Sequence, residues 1–231
     1  MDIKLNYLEK GKGETLLLLH GNGEDHSYFK AQIAHFSQKY RVIAIDTRGH
    51  GGTKRGNALF TLTQFAEDLR CFMDENHISS AHILGFSDGG NIALLFALKY
   101  PERVNKLILN GANLKPNGLK PLVLLPVVFG YRMATRFAQK NAKAKKKAEL
   151  LSLMVNEPQI EEIDLRSLPM HTLVIVGTRD MIREKHSRAI AANIPRAELV
   201  LLKGDHFLAK KRPEAFNFSV SKFLEKESDA V

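Results

Sequence analysis

The chain has 231 residues, 34 Lys plus Arg against 25 Asp plus Glu, a formal net charge of +9 and 44% hydrophobic residues. That balance excludes extended disorder, and the length suits one sizeable α/β core. A single cysteine, Cys71, excludes an internal disulfide and any thiolate-cluster metal site. Met1 to Tyr7 lack the basic start and apolar run of a secretory leader, and no apolar run reaches about 18 residues. A soluble, cytoplasmic protein is therefore expected.

Along the chain, Ile3 to Leu8 alternates apolar and polar residues, the pattern of a half-exposed edge strand. Thr15 to Leu19, Arg41 to Ile45 and Ala81 to Phe86 are near-continuous apolar runs. So are Val104 to Asn110, His171 to Gly177 and Ala197 to Leu202. Runs of this length predict strands buried on both faces of a parallel sheet. Between them the period changes. Leu62, Phe65, Ala66, Leu69, Phe72 and Met73 follow helical spacing, with Thr61 or Thr63 as N-cap. Ile92 to Tyr100 predicts a buried helix stopped by Pro101, and Lys185 to Asn193 and Pro213 to Leu224 supply two more. Strand–helix alternation of this kind predicts an α/β fold, a mostly parallel sheet flanked by helices.

The alternation breaks once. Residues 115–168 read as a helical cap inserted into a core made of residues 1–114 and 169–231. The insert holds Leu122 to Tyr131, an apolar stretch interrupted by Pro126, and then a basic helix-prone stretch. Such an insertion is expected over the carboxyl ends of the strands, where ligands bind in open α/β sheets. From Lys115 to Leu150 there are nine basic residues and one acid, Glu149, a net +8. Almost all of the protein's excess charge belongs to this segment.

Gly85-Phe86-Ser87-Asp88-Gly89 is G-x-S-x-G between a predicted strand and a predicted helix. A turn this sharp strains the serine backbone and needs neighbours without side chains; it lifts the hydroxyl above the sheet. A serine hydroxyl is a poor nucleophile without a base. His206 follows the strand Ala197 to Leu202 by a short loop, which suits that role. An acid must then orient the imidazole, and Asp180 lies just past the strand ending at Gly177. The catalytic candidates are thus Ser87, Asp180 and His206. Asp205 would have to reach backwards to serve its neighbour. His186 reads as a surface histidine, and Asn113 cannot carry a full charge. The turn His20-Gly21-Asn22-Gly23 can aim backbone N–H groups inward. With the Asp88 N–H, the Asn22 N–H would form an oxyanion hole.

Together with Asp46-Thr47-Arg48-Gly49-His50-Gly51, Gly177-Thr178-Arg179-Asp180 and Asp205-His206-Phe207, these motifs resemble the α/β-hydrolase fold superfamily over nearly the whole chain. The resemblance implies an α/β-hydrolase core of about seven strands, since only one strand precedes the oxyanion strand. Ser87 stands where the dehalogenase and epoxide hydrolase branches use aspartate, which points to the serine branch. The 46–51 motif is assigned to structure beneath the site.

The expected activity is hydrolysis of small to medium carboxylic esters through an acyl-enzyme, with no metal and no organic cofactor. A carbon–carbon bond hydrolase or thioesterase on the same triad is the alternative, and a non-catalytic receptor is the rival from another class. The partner is a small-molecule ester. No nucleic-acid binding is expected, because Asn141 to Lys147 carries no interleaved aromatics. The basic insert itself has three open readings: a solvated helix face, a steering field for anions, or a peripheral membrane contact through Leu122 to Phe129.

Overall fold

The computed structural model describes residues 1–226. Its sheet is built from strands whose two faces are both apolar. Leu16 and Leu18 pack into one hydrophobic cluster and Leu17 and Leu19 into the other; Val42 and Ala44 are divided from Ile43 and Ile45 in the same way. Seven strands result: β1 (Tyr7–Lys10), β2 (Thr15–Leu19), β3 (Arg41–Ile45), β4 (Ala81–Phe86), β5 (Val104–Asn110), β6 (His171–Gly177) and β7 (Ala197–Leu202). Their spatial order is β1-β3-β2-β4-β5-β6-β7. Only the edge strand β1 runs antiparallel, against β3.

Helices cover both faces. On one lie α2 (Leu62–Glu75), α3 (Asp88–Lys99) and α6 (Glu184–Asn193), through residues such as Phe65, Phe72, Ile92, Phe96 and Ile190. On the other lie α1 (Lys30–Phe36), α7 (Leu208–Lys211) and α8 (Pro213–Leu224), through Ile33, Phe36, Leu208, Phe216 and Val220. Thr61 caps α2, accepting the Gln64 N–H at 3.1 Å.

Between β5 and β6 the chain forms α4 (Pro121–Phe137) and α5 (Ala142–Asn156). Against expectation, α4 runs straight through Pro126. An internal proline costs about 3 kcal/mol in an isolated helix, but α4 packs along α5. At Gly130 a β-carbon would already sit 3.4 Å from Leu151 Cδ1, which shows how closely the two helices approach.

The edge strand starts later than its alternation suggests, at Tyr7 rather than Ile3. The preceding residues divide their polar groups between the 53–58 loop and Asp46, the residue after β3, whose N–H donates to Asn6 O at 2.9 Å. The Asn6 N–H donates to Thr53 Oγ1 at 2.8 Å, and the Asp2 carboxylate accepts from the N–H groups of Asn57 and Ala58. That same carboxylate pairs with Arg48, whose side chain is fully buried. Arg48 also makes two 2.7 Å bonds to Asp68, which is itself buried. The 46–51 motif is therefore a structural staple. Arg48→Leu, which strands the Asp68 carboxylate, is expected to cost about 3–5 kcal/mol, read as a lower urea midpoint. Pairing it with Asp68→Leu should recover part of the loss.

Candidate active site

Ser87 joins β4 to α3 with φ 52° and ψ −120°, a left-handed conformation that a non-glycine residue adopts only under strain of about 1–3 kcal/mol. Two backbone bonds hold it there: the Ser87 N–H donates to Asn110 O at 2.8 Å, and the Asn91 N–H donates to Ser87 O at 3.0 Å. The first turn of α3 presses so closely on the end of β2 that a β-carbon at Gly89 would collide with the Leu19 and His20 carbonyls. Glycine is required there for contact distance and not for its dihedral freedom.

The structure brings Asp180 and His206 together. The His206 Nδ1–H donates to Asp180 Oδ1 at 2.7 Å, and both residues are buried. Asp180 is fixed in turn by the Ile182 N–H at 2.9 Å. The ring lies against Gly111, where a β-carbon would sit 2.7 Å from His206 Cε1, and tilts on Phe86 with centroids 4.8 Å apart. Phe86 precedes Ser87, and Gly111 follows the residue that holds the Ser87 N–H, so the imidazole stands beside the elbow. The link to the serine itself is not made: among the described residues His206 Nε2 is buried and has no hydrogen-bond partner. With Nδ1 protonated towards Asp180, Nε2 keeps its lone pair. A serine hydroxyl needs only a χ1 rotation to change its direction, and such bonds are commonly long in the absence of substrate.

Asn22 and Asp88 are joined through their side chains, which the sequence reading did not anticipate. Asn22 Nδ2 donates to Asp88 Oδ2 at 2.8 Å and to Leu150 O, on α5, also at 2.8 Å. One amide thus ties the β2 loop, the start of α3 and the helical insert together. Neither the Asn22 nor the Asp88 backbone N–H has a protein acceptor among the described residues. The loop is shaped further by Glu24, whose Oε2 accepts the Gly21 N–H at 3.3 Å. Burial pushes the Glu24 carboxyl up to about 7.

Burial likewise pushes Asp88 up to about 6, against the opposing pull of Asn22 and His206. Folding therefore favours the protonated acid, so ionisation costs stability as the pH rises through 6; below the ordinary carboxylate value of 3.8 the penalty is absent. Asp88→Asn keeps an acceptor for Asn22 and removes the charge. It should gain about 2–3 kcal/mol over the wild type at alkaline pH and nothing in acid. Urea midpoints at the two extremes check this.

The α/β hydrolase fold profile matches residues 14–157, more than half of the chain. The chain belongs to this family. It is 26% identical to 3-oxoadipate enol-lactonase 2 of Acinetobacter baylyi, over 97% of this chain and 94% of that one. It is 27% identical to the putative carbamate hydrolase RutD of Caulobacter segnis, over 92% and 91%. The enol-lactonase of Burkholderia xenovorans LB400 superposes with a TM-score of 0.82, at 22% identity and 97% coverage of each chain, and so shares the fold. The two sequence relatives are hydrolases by name, and hydrolysis is the reaction class that this likeness supports.

In this α/β hydrolase the remaining polar groups near the sheet's carboxyl edge serve the scaffold. The His20 Nδ1–H donates to Gly21 O at 2.7 Å while Nε2 accepts the Thr47 N–H at 3.0 Å, and burial lowers its pKa to about 4. The ring is a neutral brace under the β2 loop. His186 is not the surface histidine expected: it is half-buried, and its Nε2 accepts the Leu114 N–H at 2.9 Å. Leu114 lies past the end of β5 at Asn110, so its N–H has no ladder partner and the ring supplies the acceptor. Asp205 is taken by Lys211 and the Phe207 N–H, so it does not serve His206. Asp25, His26 and Asp46 each place a ligand atom within 4.8 Å of the others. The Asp46 oxygens, however, already accept from the His26 N–H and ring, Asn6 Nδ2 and the Gly52 N–H. Four donors aimed at one carboxylate build a hydrogen-bonded knot and oppose a cation.

Proposed function

We propose that the protein is a serine hydrolase of carboxylic esters with small to medium acyl groups. The observation that carries this reading is the buried His206, hydrogen-bonded through Nδ1 to Asp180 and with an Nε2 that no described residue engages, near the strained Ser87. Ser87 Oγ attacks the ester carbonyl while His206 Nε2 takes its proton. The tetrahedral oxyanion is held by the backbone N–H groups of Asn22 and Asp88, each worth about 3 kcal/mol of barrier lowering. His206 then protonates the departing alcohol and activates the water that releases the acyl group. The insert serves as a cap, tied to the oxyanion loop through Leu150 O. An enol-lactone is a cyclic ester, so the substrate named for the Acinetobacter relative falls in the same chemical class.

The test is labelling with a fluorophosphonate probe, mapped by peptide mass spectrometry, beside a panel of p-nitrophenyl esters, acyl-CoA thioesters and vinylogous diketones. Labelling at Ser87 with preference for the oxygen esters is expected. Preference for thioesters or diketones would move the substrate to the alternative classes on the same triad. Absence of labelling with no turnover would make the protein a receptor.

A further inference from the structure

Helix α4 exposes an apolar stripe that no part of the described protein covers. Leu122 is 89% exposed, Leu125 67%, Phe129 68%, Met133 41% and Phe137 51%. Their spacing of three, then four, four and four puts them on one helical face. Arg132 and Arg136 are exposed on that same helix, Lys140 is exposed in the turn that follows it, and Lys143, Lys145, Lys146 and Lys147 are exposed on α5. Of the nine basic residues between Lys115 and Leu150, only Lys115 has a carboxylate partner among the described residues, Glu161. The segment's one acid, Glu149, is bound by Arg55 from outside the insert. The surface is therefore both apolar and positively charged, with nothing among the described residues to answer either property.

We propose that α4 docks the protein on anionic phospholipid bilayers, its apolar stripe entering the acyl boundary while the surrounding Arg and Lys side chains meet the headgroups. Such a helix lies in the interface and does not span it, and no helix of the described residues is long and apolar enough to cross a membrane. A second copy of the chain is a poorer occupant. Packing α4 on α4 would bring Arg132 and Arg136 of both copies into one low-dielectric seam, where like charges repel. An anionic bilayer satisfies apolar and basic groups at once. Docked in this way, the insert that is bonded to the Asn22 loop rests on the membrane, which places the site beside apolar esters dissolved there.

Co-sedimentation with vesicles tests the surface independently of any reaction at Ser87. The wild type is expected to pellet with phosphatidylcholine vesicles containing phosphatidylglycerol, to stay in solution with pure phosphatidylcholine, and to be released by salt. Arg132→Gln and Arg136→Gln should each lower the partition coefficient about five-fold, the equivalent of about 1 kcal/mol per basic group. Leu125→Glu with Phe129→Glu should abolish binding while circular dichroism and hydrolysis of a water-soluble ester stay at wild-type levels. Equal binding to both vesicle types, binding to neither, or binding that survives the double variant overturns the proposal. So does a lipid-free dimer that the double variant dissociates, since the stripe would then be an interface between copies.

Discussion

Ser87→Ala is expected to lower kcat for p-nitrophenyl acetate by about 10⁵- to 10⁶-fold, with KM changed little. The size of the effect follows from covalent catalysis: without the hydroxyl, no acyl-enzyme forms and water must attack directly. The residual rate comes from whatever the Asn22 and Asp88 N–H groups still contribute to the oxyanion. The fold should survive, because the elbow is held by the Ser87 backbone, through Asn110 O and the Asn91 N–H, and not by the side chain. Alanine at φ 52° carries the same strain as serine. Thermal unfolding coincident with the wild type, together with loss of turnover, is the expected pair of results. Turnover within tenfold of wild type would place the nucleophile elsewhere.

How much of this was legible beforehand depended on the range of the interactions involved. The strands β2 to β6 announce themselves because both faces are buried, and the half-buried edge strand β7 still reads as a short, mainly apolar run. Ser87, Asp180 and His206 lie at strand ends where a local pattern marks each one. The start of β1 was misplaced because Leu5 is buried like a strand residue while its neighbours bond to the 53–58 loop. Helix α1 was not foreseen: of its seven residues only Gln32, Ile33 and Phe36 are buried, too few to set a period. Pro126 reads as a break, yet its cost is overcome by packing on α5, which no local window contains. The Asn22 side chain reaches Asp88 across 66 residues and Leu150 across 128, so its role was invisible from sequence spacing. Gly111 could have been found. It follows the last residue of β5, as Gly177 closes β6, and a glycine at that edge marks a place where another chain segment approaches closely.

Asp180→Asn is expected to lower kcat about 10⁴-fold while leaving the site's geometry nearly unchanged. The asparagine is isosteric, but the Oδ1 position that takes the Ile182 N–H at 2.9 Å also takes the His206 Nδ1–H at 2.7 Å, so one group of the amide must answer both. Where that group is the NH₂, the Ile182 bond is lost, Nδ1 becomes the acceptor and the ring proton is forced onto Nε2; where it is the carbonyl oxygen, both bonds survive but the carboxylate charge does not. In the first orientation Nε2, the base of the proposed mechanism, has no lone pair with which to take the hydroxyl proton. The loss thus arises from the tautomer and from the missing charge that would stabilise the imidazolium. Fluorophosphonate labelling should slow in parallel, because it needs the same proton transfer. The control is Asp205→Asn. Asp205 adjoins His206 in sequence, but its carboxylate is spent on Lys211 and the Phe207 N–H, so this variant should keep kcat close to wild type. A large loss in Asp205→Asn with a small one in Asp180→Asn would reassign the acid, and with it the direction in which the His206 ring is held.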